Sequence, residues 1–162
     1  MRGFILQPTY RIESGRPVVH LFGKLETGES FLVRDGRLVP HFWVRAADGE
    51  RAGALVAEPL VESDRVTFAG EPVLRVEVPT PPDTPPLRDR LQRSGIRCYE
   101  ADVRFGMRYL IDKGIRGSLT ISGEGRAGRG IDRVFEEPEI GTADWTPELT
   151  VLSFDIETDP KA

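Results

Sequence analysis

Pro72-Val73-Leu74-Arg75-Val76-Glu77-Val78 alternates apolar and polar residues as a half-buried strand does, and it runs into Pro79-Thr80-Pro81-Pro82-Asp83-Thr84-Pro85-Pro86. Prolines fix φ and remove a backbone donor, so the second stretch is a stiff bend. It delivers a helix. Asp83 or Thr84 can cap it, a proline suits its first turn, Leu87 and Leu91 fall on one face, and Gly95 ends it. Ile96-Arg97-Cys98-Tyr99 reads as the next strand, giving strand–helix–strand over 73–102. A second helix is expected from Arg104 to Lys113, closed by Gly114. Two helices in a strand-rich chain make the fold class α+β.

Upstream, residues 3–45 read as an antiparallel β meander, a barrel-like lobe of short runs: 4–6, 10–12, 18–22, 30–33 and 42–44. Glu13-Ser14-Gly15, Thr27-Gly28, Asp35-Gly36 and Asp48-Gly49 are the turn signals, the Asp-Gly pairs suiting tight hairpins. His20 reads as a strand residue and His41, after Pro40, as a surface or cleft residue; neither has a metal-ligand partner at useful spacing. Arg51 to Pro59 fits a short helix or a strand, and Val66-Thr67-Phe68 a strand ending at Gly70. Downstream, Ser118 to Ser122 is a strand that enters Gly123-Glu124-Gly125-Arg126-Ala127-Gly128-Arg129-Gly130. This matches G-x-G-x-x-G formally, but it opens no capped helix and no acid follows about twenty residues on. A hairpin tip carrying Arg126 and Arg129 is the better reading, followed by the acidic linker Glu136-Glu137-Pro138-Glu139.

A chain of 162 residues with 39% hydrophobic content can bury a core in one domain or two small lobes. Its single cysteine, Cys98, excludes an internal disulfide and a cysteine-built zinc site, and reads as a small buried hydrophobe. No run approaches the roughly 20 apolar residues of a membrane span, so no membrane partner is expected and the chain is placed in the cytoplasm. The net charge of −4 is uneven. Arg88 to Arg116 holds eight Arg and Lys against four acids, whereas Val134 to Pro160 holds eight acids and no base. A basic middle beside an acidic end suits a phosphate backbone on one surface and cations on another; scattered solvated charge is the plain alternative.

The acidic end contains Leu149-Thr150-Val151-Leu152-Ser153-Phe154-Asp155-Ile156-Glu157-Thr158, which reads as a strand buried on both faces. Its two acids are two residues apart, so they share a strand face with Cβ atoms roughly 6–7 Å apart. Paired carboxylates on a buried strand fit a hard divalent cation; ordinary acids on a solvated edge strand fit the spacing as well.

Ser153-Phe154-Asp155-Ile156-Glu157-Thr158 resembles the first exonuclease motif of family B DNA polymerases, in which the Asp and Glu ligate the metals of the 3′→5′ proofreading site. Tyr99-Glu100-Ala101-Asp102-Val103-Arg104 and Arg108-Tyr109-Leu110-Ile111-Asp112-Lys113 are similar to the segment preceding that motif in bacterial DNA polymerase II and its archaeal relatives, and Gly3-Phe4-Ile5-Leu6 is polymerase II-like as well. The likeness is weakest over 46–80. It implies a polymerase N-terminal domain over 1–148 (β-rich 1–72, an RNA-recognition-like α/β lobe 73–117, a Gly-rich hairpin and acidic linker 118–148). Residues 149–162 would be the first strand of a ribonuclease H-like exonuclease domain. By the same resemblance, Asp155 and Glu157 would be catalytic metal ligands for Mg²⁺ or Mn²⁺ in the full-length polymerase.

Since the chain stops at Ala162, five residues past Glu157, the resemblance implies a fragment without metal or activity of its own. Its partners would be the remaining exonuclease and polymerase domains and the primer-template, in replication or repair on the nucleoid. The N-terminal domain would touch single-stranded template DNA, which archaeal relatives scan for uracil. Tyr10, Pro40, Phe105 and Arg108 fall on matching residues of that pocket. Thr84 and Arg104 stand where the archaeal pattern has Val and Pro, and Pro82 replaces a glutamine, so Arg104 alters a snug base site. Phe105 also fits plain core packing. Two other classes compete: a freestanding single-strand-binding module or part of a split polymerase, and a small metal-dependent nuclease, the latter weakened by having two acids from one strand.

Overall fold

The computed structural model describes residues 1–156 and contains two β-sheets, each backed by helix. Three long strands start the first sheet: β1 (Arg2–Glu13), β2 (Arg16–Leu25) and β3 (Ser30–Asp35), joined antiparallel through turns where Gly15 and Gly28 take positive φ. The chain then leaves for β4 (His41–Arg45), a short helix α1 (Gly49–Gly53), β5 (Leu60–Val66) and β6 (Pro72–Glu77). The proline bend follows, and Thr80 and Asp83 form a reciprocal capping box ahead of helix α2 (Thr84–Arg93). After β7 (Cys98–Tyr99) comes helix α3 (Phe105–Asp112). The chain returns to the first sheet as β8 (Ser118–Ser122), β9 (Arg126–Gly128), β10 (Ile131–Glu136) and β11 (Glu139–Thr142).

The first sheet has the order β11-β8-β1-β2-β3-β10-β9, with β10 parallel to β3 and every other pairing antiparallel. Its buried face, including Leu21, Phe31 and Leu119, packs against Phe105, Tyr109 and Leu110 of α3. The second sheet has the order β5-β6-β4-β7. Phe42, Val44 and Val76 on its inner face pack against Leu87 and Leu91 of α2, the two leucines whose spacing marked that helix. Because β6 and β7 both pair antiparallel with β4, the strand–helix–strand unit is split by a central strand. Among the described residues no helix is long and apolar enough to cross a membrane.

Several boundaries differ from the sequence reading. β4 is not the last strand of a meander but the centre of the second sheet, and residues 118–142 return to the first, so the 1–72, 73–117 and 118–148 divisions cut across both lobes. Asp48-Gly49 opens α1 and Asp35-Gly36 ends β3, so neither pair makes a hairpin turn between paired strands. The strand expected at 66–68 lies earlier, as β5, with Thr67 to Gly70 forming the turn. Within the expected acidic linker, Glu139–Thr142 pairs with β8. Of the two positions open to His41, surface or cleft, it takes the cleft, and its side chain is buried there.

The largest difference concerns the last stretch. Residues 149–156 have no regular structure, and Val151, Leu152, Phe154 and Ile156 are each at least three-quarters exposed. A strand requires a neighbour for its backbone N–H and C=O groups, and none of the eleven strands pairs with this segment. The final strand of the expectation is therefore absent over 149–156. Glu157, the second acid of the pair, lies outside the described residues.

Candidate nucleic-acid interface

Where α3 meets the second sheet, the two lobes leave a cleft of about 820 Å³. Four separate pieces of chain line it: the bulged part of β1, Pro40 and His41 at the start of β4, the start and flank of α2, and the loop from Glu100 into the first turn of α3. All five residues singled out for nucleic-acid contact, Tyr10, Pro40, Arg104, Phe105 and Arg108, lie on this one cleft, as does Thr84. Pro82 is not among its lining residues.

The close approach of α3 to β1 depends on Gly106, where a Cβ would sit 3.3 Å from the carbonyl carbon of Pro8. Helix position is fixed further along by Tyr109, whose hydroxyl donates to Asp35 Oδ2 at 2.7 Å at the end of β3. Asp35 is almost fully buried and also accepts from the Arg37 guanidinium on both oxygens. Burial pushes the Asp35 carboxyl up, but these hydrogen bonds prevail and hold it below the ordinary carboxylate range. Burial and the Asp35 contact push the Tyr109 hydroxyl far up, so it stays a neutral donor.

One turn before Tyr109, Phe105 sets its ring edge-on to Tyr10, with centroids 5.5 Å apart. Phe105 is 6% exposed and belongs to the first core cluster; Tyr10 is half-buried, and Arg104 is exposed at the cleft mouth. The core reading and the cleft reading of Phe105 thus describe two sides of one ring.

Arg108 is the most constrained charge of the cleft. Its side chain is 3% exposed, and Nη2 donates to Glu100 Oε2 at 2.6 Å while Nη1 stands 3.7 Å from Asp112. Glu100 adopts positive φ, a conformation non-glycine residues rarely take, and its Oε2 also accepts from the Trp43 indole at 3.1 Å. One carboxylate thereby joins α3 to β4. His41 stands behind this group: its Nδ1–H donates to the Val39 carbonyl at 2.8 Å, and its ring packs edge-on to Trp43. His41 also lines a second cavity of about 310 Å³ on its other side. Burial lowers the His41 pKa from 6.5, outweighing the contacts with Val39 and Asp112 that favour the charged form.

Glu100, Arg88 and Gly106 were not singled out from the sequence. For Arg88 a signal existed, since it follows Leu87 and points aside from the buried face of α2. The positive φ of Glu100 and the burial of His41 have no local signature. Asp155 is far simpler: it is exposed and, among the described residues, accepts from the N–H of Ile156 alone. Among the described residues no three His, Cys, Asp or Glu side chains come together as a metal site.

No family model matches the chain. The DNA polymerase of Thermococcus kodakarensis is 31% identical over 169 residues, covering 95% of this chain and 9% of that protein. The DNA polymerase of Thermococcus sp. (strain 9oN-7) is 30% identical over 169 residues, again covering 95% of this chain, and 18% of its own. The solved structure of the family B DNA polymerase from the hyperthermophilic archaeon Pyrobaculum calidifontis has a TM-score of 0.72 and 27% identity, covering 92% of this chain and 21% of that one. The chain thus spans about a tenth to a fifth of the length of the proteins it matches.

The buried imidazole gives a pH test. A His whose folded pKa lies below its unfolded value of 6.5 contributes stability above that value, which is lost as pH falls through the folded pKa. Chemical denaturation at about pH 7.5 and 5.5 will show unfolding free energy falling toward acid, and His41→Asn will flatten that slope while His20, lowered for the same reason of burial, keeps part of it. Identical slopes in the two proteins would refute the buried neutral His41.

Proposed function

We propose, starting from a chain that belongs to the family B DNA polymerases and matches their N-terminal region, that its interlobe cleft contacts single-stranded template DNA. The observation that carries this is the convergence of Tyr10, Pro40, Arg104, Phe105 and Arg108, drawn from distant parts of the sequence, onto one cavity. Aromatic edges and arginines side by side suit a flexible strand, whose bases stack while its phosphates meet cations. Arg104 at the mouth is charged and exposed, so the cleft lacks the close apolar wall that selection of one base requires. Contact without base discrimination follows. Uracil-containing and thymine-containing single strands of equal length are expected to bind the purified protein with equal affinity; a tenfold preference for uracil would overturn this.

For the full-length protein, we assign Asp155 and Glu157 to the metal site of 3′→5′ proofreading. The support is the Ser153–Thr158 motif, together with an oxygen-only donor pair suited to Mg²⁺ or Mn²⁺. Asp155 is exposed and, among the described residues, has no cationic partner, which fits a ligand that is completed by further donors. When bound, such ions supply activation of water and stabilisation of the leaving 3′ oxygen. This chain's own share is the carboxylates, and residues 1–156 alone are assigned neither excision nor synthesis. A bacterial polymerase II-like member acting in replication or repair on the nucleoid, with the other polymerase domains and primer-template as partners, is the fuller reading; it rests on Gly3–Leu6 and Tyr99–Arg104. Asp155→Ala in the full-length enzyme is expected to remove excision of mismatched 3′ ends while leaving synthesis largely intact. Wild-type excision rates in that variant would sink the metal assignment.

A binding module working without the rest of a polymerase is favoured by one observation, that the cleft is built wholly from residues 7–108. Excision in the full-length protein that depends on Asp155 separates the two readings.

A further inference from the structure

The second sheet carries an arrangement that lies outside the cleft. Phe42 and Val44 pack against α2, so Trp43 points from the opposite face, and Tyr99 of β7 is its antiparallel register partner. An arginine stands over each ring. Arg65 reaches in from β5, its guanidinium carbon 5.9 Å from the centre of the Trp43 ring. Arg97, two residues before Tyr99 and so on the same strand face, stands 5.1 Å from that ring centre.

These two cations differ from their neighbours on the sheet. Arg45 is paired with Asp48 and Glu71, and Arg75 with Glu77. Arg65 and Arg97 are exposed, and among the described residues neither guanidinium has a hydrogen bond or an ion pair. A guanidinium held over a ring keeps its N–H donors, so it can meet an anion while its plane stacks on a further ring.

A second observation points to the other half of a ligand. A cavity of about 310 Å³ lies beside Trp43 and is lined by Arg65, His41 and Asp112 among others. The His41 side chain is 4% exposed. With Nδ1–H given to the Val39 carbonyl, its Nε2 is an acceptor, and among the described residues no donor reaches it; Asp112 Oδ2 stands 3.7 Å away. Two acceptors side by side, one deeply buried, call for an N–H donor from outside. A phosphate brings acceptors alone, whereas the edge of a nucleobase brings N–H.

We infer that this face of the second sheet is a second surface for single-stranded nucleic acid, distinct from the cleft. Unpaired bases stack along Trp43 and Tyr99 and their overlying guanidiniums, phosphates meet Arg65 and Arg97, and one base turns its N–H edge toward His41 and Asp112. Of these residues the cleft shares only His41. Stacking combined with cations holds single strands with little regard to sequence.

The contacts are made by side chains, so indole fluorescence is the readout. Trp145→Phe leaves Trp43 as the sole tryptophan. The purified variant is titrated with oligothymidylate, oligouridylate and an abasic deoxyribose-phosphate strand of equal length. Oligothymidylate is expected to quench Trp43 and to bind about tenfold more tightly than the abasic strand. Quenching by either base-bearing polymer supports the surface and assigns its source as DNA, RNA or both. Arg65→Ala with Arg97→Ala is expected to abolish the quench and to lower the slope of log affinity against log salt by about 1.4, two phosphates at about 0.7 each. Arg65→Lys with Arg97→Lys is expected to recover the salt slope but not the preference for bases, a split that a merely structural role would not produce. Equal binding of abasic and thymidylate strands would overturn the surface. So would a quench that survives the double alanine variant and is lost in Arg104→Ala, which would return the signal to the cleft and leave that reading standing.

Discussion

A buried guanidinium governs the junction of the two lobes. Removing a charge from water is costly unless partners replace the hydration shell, and breaking a buried pair leaves that cost uncompensated. Arg108 meets the requirement with carboxylates from both sides of the junction: Asp112 on its own helix, and Glu100 just beyond β7 of the second sheet. Because Glu100 also accepts from Trp43, the second lobe cannot swing away from α3 without exposing or stranding polar groups. Hydrophobic packing builds each lobe separately, around Phe31 and Leu119 in one and Phe42 and Leu91 in the other. The polar link sets how they meet, and hence the shape of the cleft between them.

The same link explains how one short helix serves two purposes. Tyr109 and Leu110 pack α3 into the first core, and the Tyr109 hydroxyl ties it to Asp35. The start of the helix carries no capping side chain and lines the cleft.

Much of the local structure was legible in the sequence because it is set by neighbours a few residues apart. Alternation over 72–78, the proline bend, the Leu87–Leu91 spacing and the glycines at 95 and 114 place α2, α3 and the strands around them. Sheet membership was not legible, since β4 looks like a fifth meander strand until its partners β6 and β7 are known. Acidity misled at 136–139, where charges on a sheet edge look the same as charges in a linker. The last segment misled for the opposite reason: Val151, Leu152, Phe154 and Ile156 have the composition of a buried strand, but composition supplies no partner strand. For the cleft, Tyr10, Pro40, Phe105 and Arg108 came from family resemblance, which carries spatial information that spacing lacks. His41 was read as a surface or cleft residue, but its depth of burial depends on tertiary packing and the place of Glu100 on a positive φ, neither of which leaves a local mark.

The central claim is that the cleft held together by Arg108 is where single-stranded nucleic acid meets this chain. Hydrogen–deuterium exchange of the protein with and without a single-stranded oligonucleotide tests it most directly, because it reports every backbone segment at once. Slowed exchange confined to residues 7–10 and 100–108 is the expected result. Slowed exchange at the glycine-rich hairpin over 123–130, with the cleft unchanged, would contradict the account.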